Sequence, residues 1–231
     1  MKITTKILSS GIGVVAALAL SVSSTQANLL VDPGFESGAP GQVNPIPLPG
    51  GAGGGWAVFN GAAFSTAAAE TGTYGIIESQ GIGQAWNFQA PYQVVGGVSA
   101  GQLFSLSADF MTPTGITQAS PFDPVIIQMT FFDAAGTDIG TVETGGVGAN
   151  AVAYTPAAAN IWYTATVSAT APAGAAYVAP YLAFMENGSQ TGADTLYWDN
   201  AVMNLVPEPS SLAFLAMGLG IGFSFLRRKS L

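Results

Sequence analysis

The sequence has no cysteine and no histidine, and its five lysine and arginine residues all lie near the two ends. Residues 28–206 therefore contain no positively charged side chain. The same segment holds all but one of the thirteen acidic residues, since only Glu208 lies beyond it, and its formal charge is −12. Such a segment repels phosphate backbones and anionic membrane surfaces. Nucleic acid is excluded as a partner on this ground.

The missing residue types also exclude several kinds of chemistry. Without histidine and cysteine there is no Ser-His-Asp or Cys-His nucleophile and no usual zinc site. Without lysine in residues 28–206 there is no Schiff-base chemistry in that segment. Because no disulfide can form, stability must come from a buried core, and about 179 residues are enough to build one.

Short segments rich in Val, Ile, Thr and aromatic residues, separated by Gly, Pro, Asn or Asp, predict an all-β sandwich. Residues 103–111 and 162–169 alternate apolar and polar side chains, so each strand buries one face. Residues 133–138 and 187–189 are predicted hairpin turns, and residues 38–55 a Gly/Pro-rich loop. The predicted strands are residues 56–60, 73–78, 83–88, 92–95, 103–111, 125–132, 138–143, 162–169, 176–185 and 195–205.

The N-terminus has the pattern of a secretory signal peptide. Lys2 and Lys6 precede an apolar stretch at residues 7–20, and small residues end the segment. The pattern predicts a signal peptide at residues 1–27, cut by signal peptidase between Ala27 and Asn28. The exported domain then covers residues 28–205.

The C-terminal residues 206–231 have three parts. A Pro-containing motif is followed by sixteen residues without charge, 211–226, and then by a basic cluster. At about 1.5 Å per residue, a helix over this run is about 24 Å long, slightly short of the ~30 Å hydrocarbon core. The basic cluster stops transfer on the cytoplasmic side. The run is therefore predicted to be a single transmembrane helix in the inner membrane.

These parts, in this order, resemble the PEP-CTERM sorting signal. The residues that carry the resemblance are Val206, Pro207, Glu208, Pro209, Arg227, Arg228 and Lys229. The resemblance implies a substrate of a membrane-embedded exosortase, anchored transiently and then delivered to the cell surface or released. Pro207 and Pro209 favour an extended backbone, as a protease requires.

A second resemblance covers nearly the whole exported domain. Its opening residues 28–36 and its closing residues 196–202 are similar to those of jelly-roll carbohydrate-binding modules with a galactose-binding-like fold. This resemblance implies that the first and last strands lie side by side, which brings Glu36 near Asp199. In that family these positions help to hold a structural Ca²⁺, whose preferred ligands are oxygen atoms. No other cofactor is expected. The simpler alternative is that both carboxylates only accept backbone hydrogen bonds.

A sugar-binding face needs aromatic rings and neighbouring polar groups, and it needs no positive charge. Trp86 is the first candidate ring, with Gln84 beside it and Tyr92 beyond, and Trp56 next to the Gly-rich loop is the second. Each of these aromatic residues has an alternative role in the core of the sandwich.

Three functions remain open from the sequence. The first is a non-enzymatic surface or matrix protein that associates with extracellular polysaccharide. The second is a structural matrix protein with no defined ligand. The third is a glycoside hydrolase, which needs two carboxylates about 5–9.5 Å apart; Glu70 with Glu78, or Asp109 with Glu143, are the candidate pairs. The first is our prediction from the sequence.

Overall fold

The structure is a computed structural model, which describes residues 27–39, 54–117, 123–146, 158–186 and 188–207. The predicted signal peptide up to residue 26, most of the Gly/Pro-rich loop, the predicted transmembrane helix and the basic cluster lie outside these residues. Within the described ranges, no helix has the length and apolar character needed to cross a membrane.

The described chain forms eleven strands and one short 3₁₀ helix, Thr66–Ala68. The strands are β1 (Ala57–Phe59), β2 (Ala63–Ser65), β3 (Gly75–Gln80), β4 (Ala90–Tyr92), β5 (Val95–Gly96), β6 (Leu103–Met111), β7 (Asp123–Phe132), β8 (Asp138–Gly146), β9 (Tyr163–Thr170), β10 (Tyr177–Phe184) and β11 (Asp194–Val206). The first sheet has the order β1-β4-β10-β7-β8, with β5 also paired to β10, and the second has the order β2-β3-β11-β6-β9. All of these pairs are antiparallel. The all-β, two-sheet architecture predicted from the sequence is confirmed.

The core lies between the sheets and follows the predicted alternation. In β6 every second side chain is buried, and in β9 three alternate side chains are buried while their neighbours face water. Phe104 of β6 meets Phe131 of β7 across the two layers at 6.1 Å between ring centres. Burying rings of this size provides most of the stability of a domain without disulfides.

The opening segment packs along the last strand, as the second resemblance implies. The Leu29 amide donates to the Met203 carbonyl (2.8 Å), and the Ala201 amide donates to the Pro33 carbonyl (2.9 Å). The side chain of Asn28 adds two contacts, donating to the Ala201 carbonyl and accepting from the Met203 amide. The resemblance also implies a first strand in this segment, but residues 29–37 form bends and turns instead.

The structure corrects several element predictions. Residues 63–65 form a strand that the sequence analysis missed, and residues 83–88 contain turns and bends and no extended strand. The turn at residues 133–138 is confirmed, with Asp133 accepting from the Ala135 and Thr137 amides. The prediction of a hairpin at residues 187–189 is wrong, because the flanking strands β10 and β11 belong to different sheets.

Candidate functional site

The outer side of the first sheet has a layer of aromatic rings, here called the aromatic face. Its members are Phe59, Phe88, Tyr92, Phe132, Tyr177 and Tyr181. Strand alternation explains the layer: Val178 and Leu182 of β10 enter the core, so Tyr177 and Tyr181 point outward. Tyr181 is partly exposed, whereas Tyr92 is only 7% exposed.

The rings of the aromatic face are ordered against each other. Tyr92 and Tyr181 stack with centres 5.2 Å apart and planes inclined by 11°. Phe59 and Phe88 also stack, at 5.9 Å, and Phe59 presents an edge to Tyr92 and to Tyr181. Such mutual packing fixes ring orientation, so little conformational freedom remains to be lost when a flat ligand is bound.

Polar side chains continue the same face. In the strand register, Tyr92 lies opposite Tyr181, Tyr181 opposite Gln128, and Gln128 opposite Glu143. Directly opposed residues share one side of a sheet. This row of two rings, an amide and a carboxylate therefore crosses β4, β10, β7 and β8, a span of about 14 Å at ~4.8 Å per strand.

Hydrogen bonds hold the polar end of this row. Gln128 Nε2 donates to Thr130 Oγ1 (2.8 Å), and the hydroxyls of Thr130 and Thr141 are 3.1 Å apart. Burial raises the pKa of Glu143 above its ordinary value. Burial, followed by the neighbouring Tyr92 and Asp138, raises the pKa of Tyr181 to about 12, so its hydroxyl stays protonated.

Trp86 and Gln84, predicted from the sequence, lie on the loop of residues 81–88, here called the Trp86 loop. Trp86 is 57% exposed, has a left-handed backbone (φ 61°), and precedes Phe88 of the aromatic face by two residues. Gln84 Oε1 accepts from the Gly81 amide (2.7 Å) and so closes the turn of the loop. The structure therefore places Trp86 at the surface and Tyr92 within the aromatic face.

Trp56 does not lie on this surface, and its prediction as a sugar-binding residue is wrong. It is 1% exposed, lies 4.9 Å from the ring of Phe35, and donates its Nε1 hydrogen to the Asp32 carbonyl. Sequence analysis missed Tyr177, Tyr181, Phe59 and Gln128. The signal that identifies the two tyrosines is their spacing of four in a strand, which puts both on one side.

Glu36 and Asp199 come close together, as the resemblance implies, because backbone amides of one loop, residues 70–74, donate to both carboxylates. Burial raises the pKa of Asp199, and the charge of Glu36 adds to the rise. Hydrogen bonds from backbone amides oppose this rise. Asp199 Oδ2 accepts from the amides of Glu70 (2.8 Å) and Thr71 (2.9 Å). A bulge in β11 directs Asp199 toward this loop, and Asn200 there has φ 51°.

The loop of residues 70–74 also surrounds Glu36. The Thr73 amide donates to both Glu36 oxygens, at 3.0 and 2.9 Å, and Gly72 lies so close that a Cβ atom would overlap Oε1. The pair is thus held by backbone donors, and nowhere in the described ranges do three acidic side chains cluster as a metal site. Carboxylates retain further lone pairs for a cation, so calcium at Glu36 and Asp199 stays a prediction.

The carboxylate pairs predicted for hydrolysis are not brought together. Glu78 points into the core, is 0% exposed, and accepts from Trp198 Nε1 (3.2 Å), whereas Glu70 is exposed. Asp109 lies on the outer side of the second sheet and Glu143 on the outer side of the first. Glu70 lies beside Asp109 instead. Burial raises the pKa of Glu70, the hydrogen bond from Asn200 lowers it, and the nearby Asp109 adds to the rise.

Comparisons with solved structures return proteins of low identity. A sugar-binding protein, described as putative, from Bacteroides thetaiotaomicron is 10% identical, with 78% of this chain and 100% of that chain covered and a TM-score of 0.49. The xylan-binding domain CBM22-1 of Paenibacillus barcinonensis Xyn10C is 16% identical, with coverages of 79% and 97% and a TM-score of 0.46. The enzymatically active domain of tailspike protein 4 from bacteriophage CBA120 is 10% identical, with coverages of 78% and 21% and a TM-score of 0.46.

This chain spans about a fifth of the tailspike chain. At TM-scores below 0.5 these similarities carry no argument about ligand or activity. No curated protein matches the sequence. The family comparison is specific to the C-terminus: residues 205–229 match the PEP-CTERM protein-sorting motif. That motif implies an exported protein whose C-terminus is membrane-anchored before an exosortase processes it.

Proposed function

We propose that the exported domain is a non-enzymatic, jelly-roll carbohydrate-binding module whose aromatic face binds a polysaccharide chain. One observation carries the proposal: Tyr92, Tyr181, Gln128 and Glu143 form a continuous row across four strands. Rings bind the apolar faces of pyranoses, and amide and carboxylate groups bind their hydroxyls.

Charge restricts the class of polysaccharide. The domain has a formal charge of −12 and no cationic side chain, so it repels acidic glycans. The hydroxyl of Tyr181 stays neutral, and Gln128 is uncharged. A neutral glycan is therefore the favoured ligand, with Glu143 accepting hydrogen bonds from its hydroxyl groups.

The sorting motif supports the place of action. A protein released or transferred by an exosortase acts at the cell surface or in the extracellular matrix, where exopolysaccharide is abundant. Trp86 at the surface, two residues before Phe88, is the ring we assign to the edge of the binding face.

A second candidate is a structural matrix protein without a defined ligand. The observation that favours it is the absence of lysine and arginine from residues 28–206, which removes every site for trypsin-like proteases. The outer side of the second sheet, with exposed Thr164, Thr166 and Ser168, adds a hydrated, hydroxyl-rich surface.

The test is binding of the full chain, in mild detergent, to a panel of neutral and acidic polysaccharides that includes the host's own exopolysaccharide. We expect saturable binding to a neutral glycan and a loss of about thirtyfold or more in Tyr181→Ala, the size of an interface hot spot. Thr166→Ala, on the opposite side of the molecule, is the matched control and keeps full affinity. Absence of binding to every glycan would favour the structural matrix protein.

A further inference from the structure

Buried oxygen atoms without a hydrogen-bond partner are concentrated at one end of the sandwich. In the described part of the chain seven buried side-chain atoms have no partner, and six of them lie where β3, β6 and β10 end and β11 begins. They are Glu78 Oε1, Thr112 Oγ1, both Glu186 carboxyl oxygens, Gln190 Oε1 and Asp194 Oδ1. Buried polar groups are almost always paired, so this concentration requires an explanation.

Glu186 and Asp194 form the centre of this region. Both are 0% exposed, and after burial the neighbouring Asp194 is the next cause that raises the pKa of Glu186. Gln80, opposite Asp194 in the sheet, accepts from the Glu186 amide at 3.3 Å. Asp194 Oδ2 is satisfied by the amide and hydroxyl of Thr117, which leaves Oδ1 for another partner.

Gln190 supplies an independent, uncharged oxygen at the same place. It is 4% exposed, and its Nε2 donates to the carbonyls of Gly81 (3.0 Å) and Gln84 (2.7 Å). The amide oxygen Oε1 of the same side chain is buried and has no donor. Two carboxylates and an amide therefore offer four unpartnered oxygens: two of Glu186, one of Asp194 and one of Gln190.

No side chain of the exported domain can neutralise this pair, because residues 28–206 contain no Lys, Arg or His. Two buried carboxylates without a counter-charge are strongly unfavourable. A single proton shared by the carboxyl groups leaves one Glu186 oxygen and Gln190 Oε1 without a partner. A cation that prefers oxygen ligands would give these buried oxygens a partner and cancel both charges.

We propose that Glu186, Asp194 and Gln190 bind a hard divalent cation, of which calcium fits best. Ligands that are exclusively oxygen select calcium or magnesium over transition metals. Magnesium demands a near-ideal octahedron and keeps several waters, which a fully buried position disfavours. The site lies at the opposite end of β3 from the loop that holds Glu36 and Asp199, and it does not depend on the proposed glycan binding.

The cation joins the core to the Trp86 loop. The Trp86 amide donates to the Glu186 carbonyl at 2.7 Å, and Gln190 holds the carbonyls of Gly81 and Gln84. Gly188 packs against the same loop, since a Cβ atom there would lie 2.9 Å from Ala85 Cβ. The emission of Trp86, which is 57% exposed, therefore reports on the occupancy of the site.

The experiment is calcium titration of chelator-treated full-length protein in mild detergent, followed by calorimetry and tryptophan emission. The double variant Glu36→Gln/Asp199→Asn removes the other predicted calcium pair and isolates the new site. We expect one calcium to bind this double variant with a dissociation constant of about 10⁻⁴–10⁻³ M and to shift Trp emission. Adding Glu186→Gln should weaken that binding by at least tenfold, and magnesium should not replace calcium.

Two results would overturn the proposal. One is the absence of any calcium binding by the double variant at 10 mM calcium, with its strand content intact by circular dichroism. The other is unchanged affinity after Glu186→Gln. If the double variant with Glu186→Gln does not fold, Gln190→Met is added to the double variant in its place. A calcium affinity equal to that of the double variant alone then counts against the site.

Discussion

The outer sides of the two sheets differ in chemistry although both sheets alternate their side chains in the same way. The aromatic face on the first sheet presents six rings. The corresponding side of the second sheet, here called the hydroxyl face, presents Ser105, Ser107, Thr164, Thr166 and Ser168. Both sheets place large apolar residues inside, so the core alone does not distinguish them.

This difference shows which features of the two outer sides folding requires and which it does not. Folding requires one buried side per sheet and leaves the other side free. Threonine on the hydroxyl face favours the strand conformation, and the hydroxyl groups of both serine and threonine bind water. Partly exposed rings on the aromatic face are not required for the core, and a contiguous apolar patch of this kind is typical of a binding surface. Four predictions test this comparison, from the largest expected effect to the smallest.

The first prediction compares one glycine in each sheet. A Cβ atom at Gly75 of β3 would lie 2.1 Å from the carbonyl oxygen of Ala68 and 2.8 Å from the carbonyl oxygen of Trp198. The backbone of these neighbours would therefore have to move. We expect Gly75→Ala to cost about 3 kcal/mol and to lower Tm by roughly 6–12 °C. Gly140→Ala in β8 meets only Pro172 at 3.7 Å and is the control. Equal melting temperatures for the two variants would contradict the close packing at Gly75.

The second prediction compares one acid on each outer face. Glu143→Ala removes the carboxylate from the row with Tyr181 and Gln128, and we expect glycan affinity to fall by about tenfold or more, as for a hydrogen bond to a charged group. Asp109→Ala removes an acid of the hydroxyl face, where it accepts from Thr164 Oγ1 at 2.6 Å, and should leave affinity unchanged. Isothermal titration measures both, and the opposite order would place binding on the hydroxyl face.

The third prediction concerns calcium at Glu36 and Asp199, beside the bulge of the second sheet. At calcium concentrations ten times the dissociation constant, binding stabilises the folded state by about 1.4 kcal/mol. We expect a chelator to lower Tm of the wild type and to lower it less in Glu36→Gln. Glycan affinity of the aromatic face should not change in Glu36→Gln. A wild-type melting curve identical with and without chelator would exclude a bound calcium.

The fourth prediction concerns Glu78, which belongs to the core shared by both sheets. Burial raises its pKa well above the ordinary 4.5, while the Trp198 hydrogen bond opposes the rise. The folded state therefore holds a proton that the unfolded state releases, so stability is full below pH 4.5 and falls as pH increases toward the raised pKa. Glu78→Gln should leave Tm unchanged at pH 4 and flatten the fall of Tm as pH increases above 4.5. If Tm fell with pH equally in the wild type and in Glu78→Gln, the prediction would be refuted.

Local patterns made much of the fold predictable. The alternation in β6 and β9 and the turn at residues 133–138 are confirmed, because each depends on short-range signals. The structure also has Glu36 and Asp199 adjacent, as the family resemblance implied. The strand predicted at residues 83–88 failed because Gly83 and Trp86 adopt left-handed backbone conformations. Trp56 was misassigned because its neighbouring Gly-rich segment gives no indication that the indole packs on Phe35.

By itself the sequence determined an exported, strongly acidic, all-β domain followed by a PEP-CTERM motif, because composition and terminal motifs are read residue by residue. Only the tertiary structure decided which residues share a surface. Strand register joined Tyr92, Tyr181, Gln128 and Glu143, which are up to 89 residues apart, into one row. The same pairing brought Glu186 and Asp194 together in the interior. Contacts of this kind depend on the order of strands in a sheet, which no local pattern of side chains encodes.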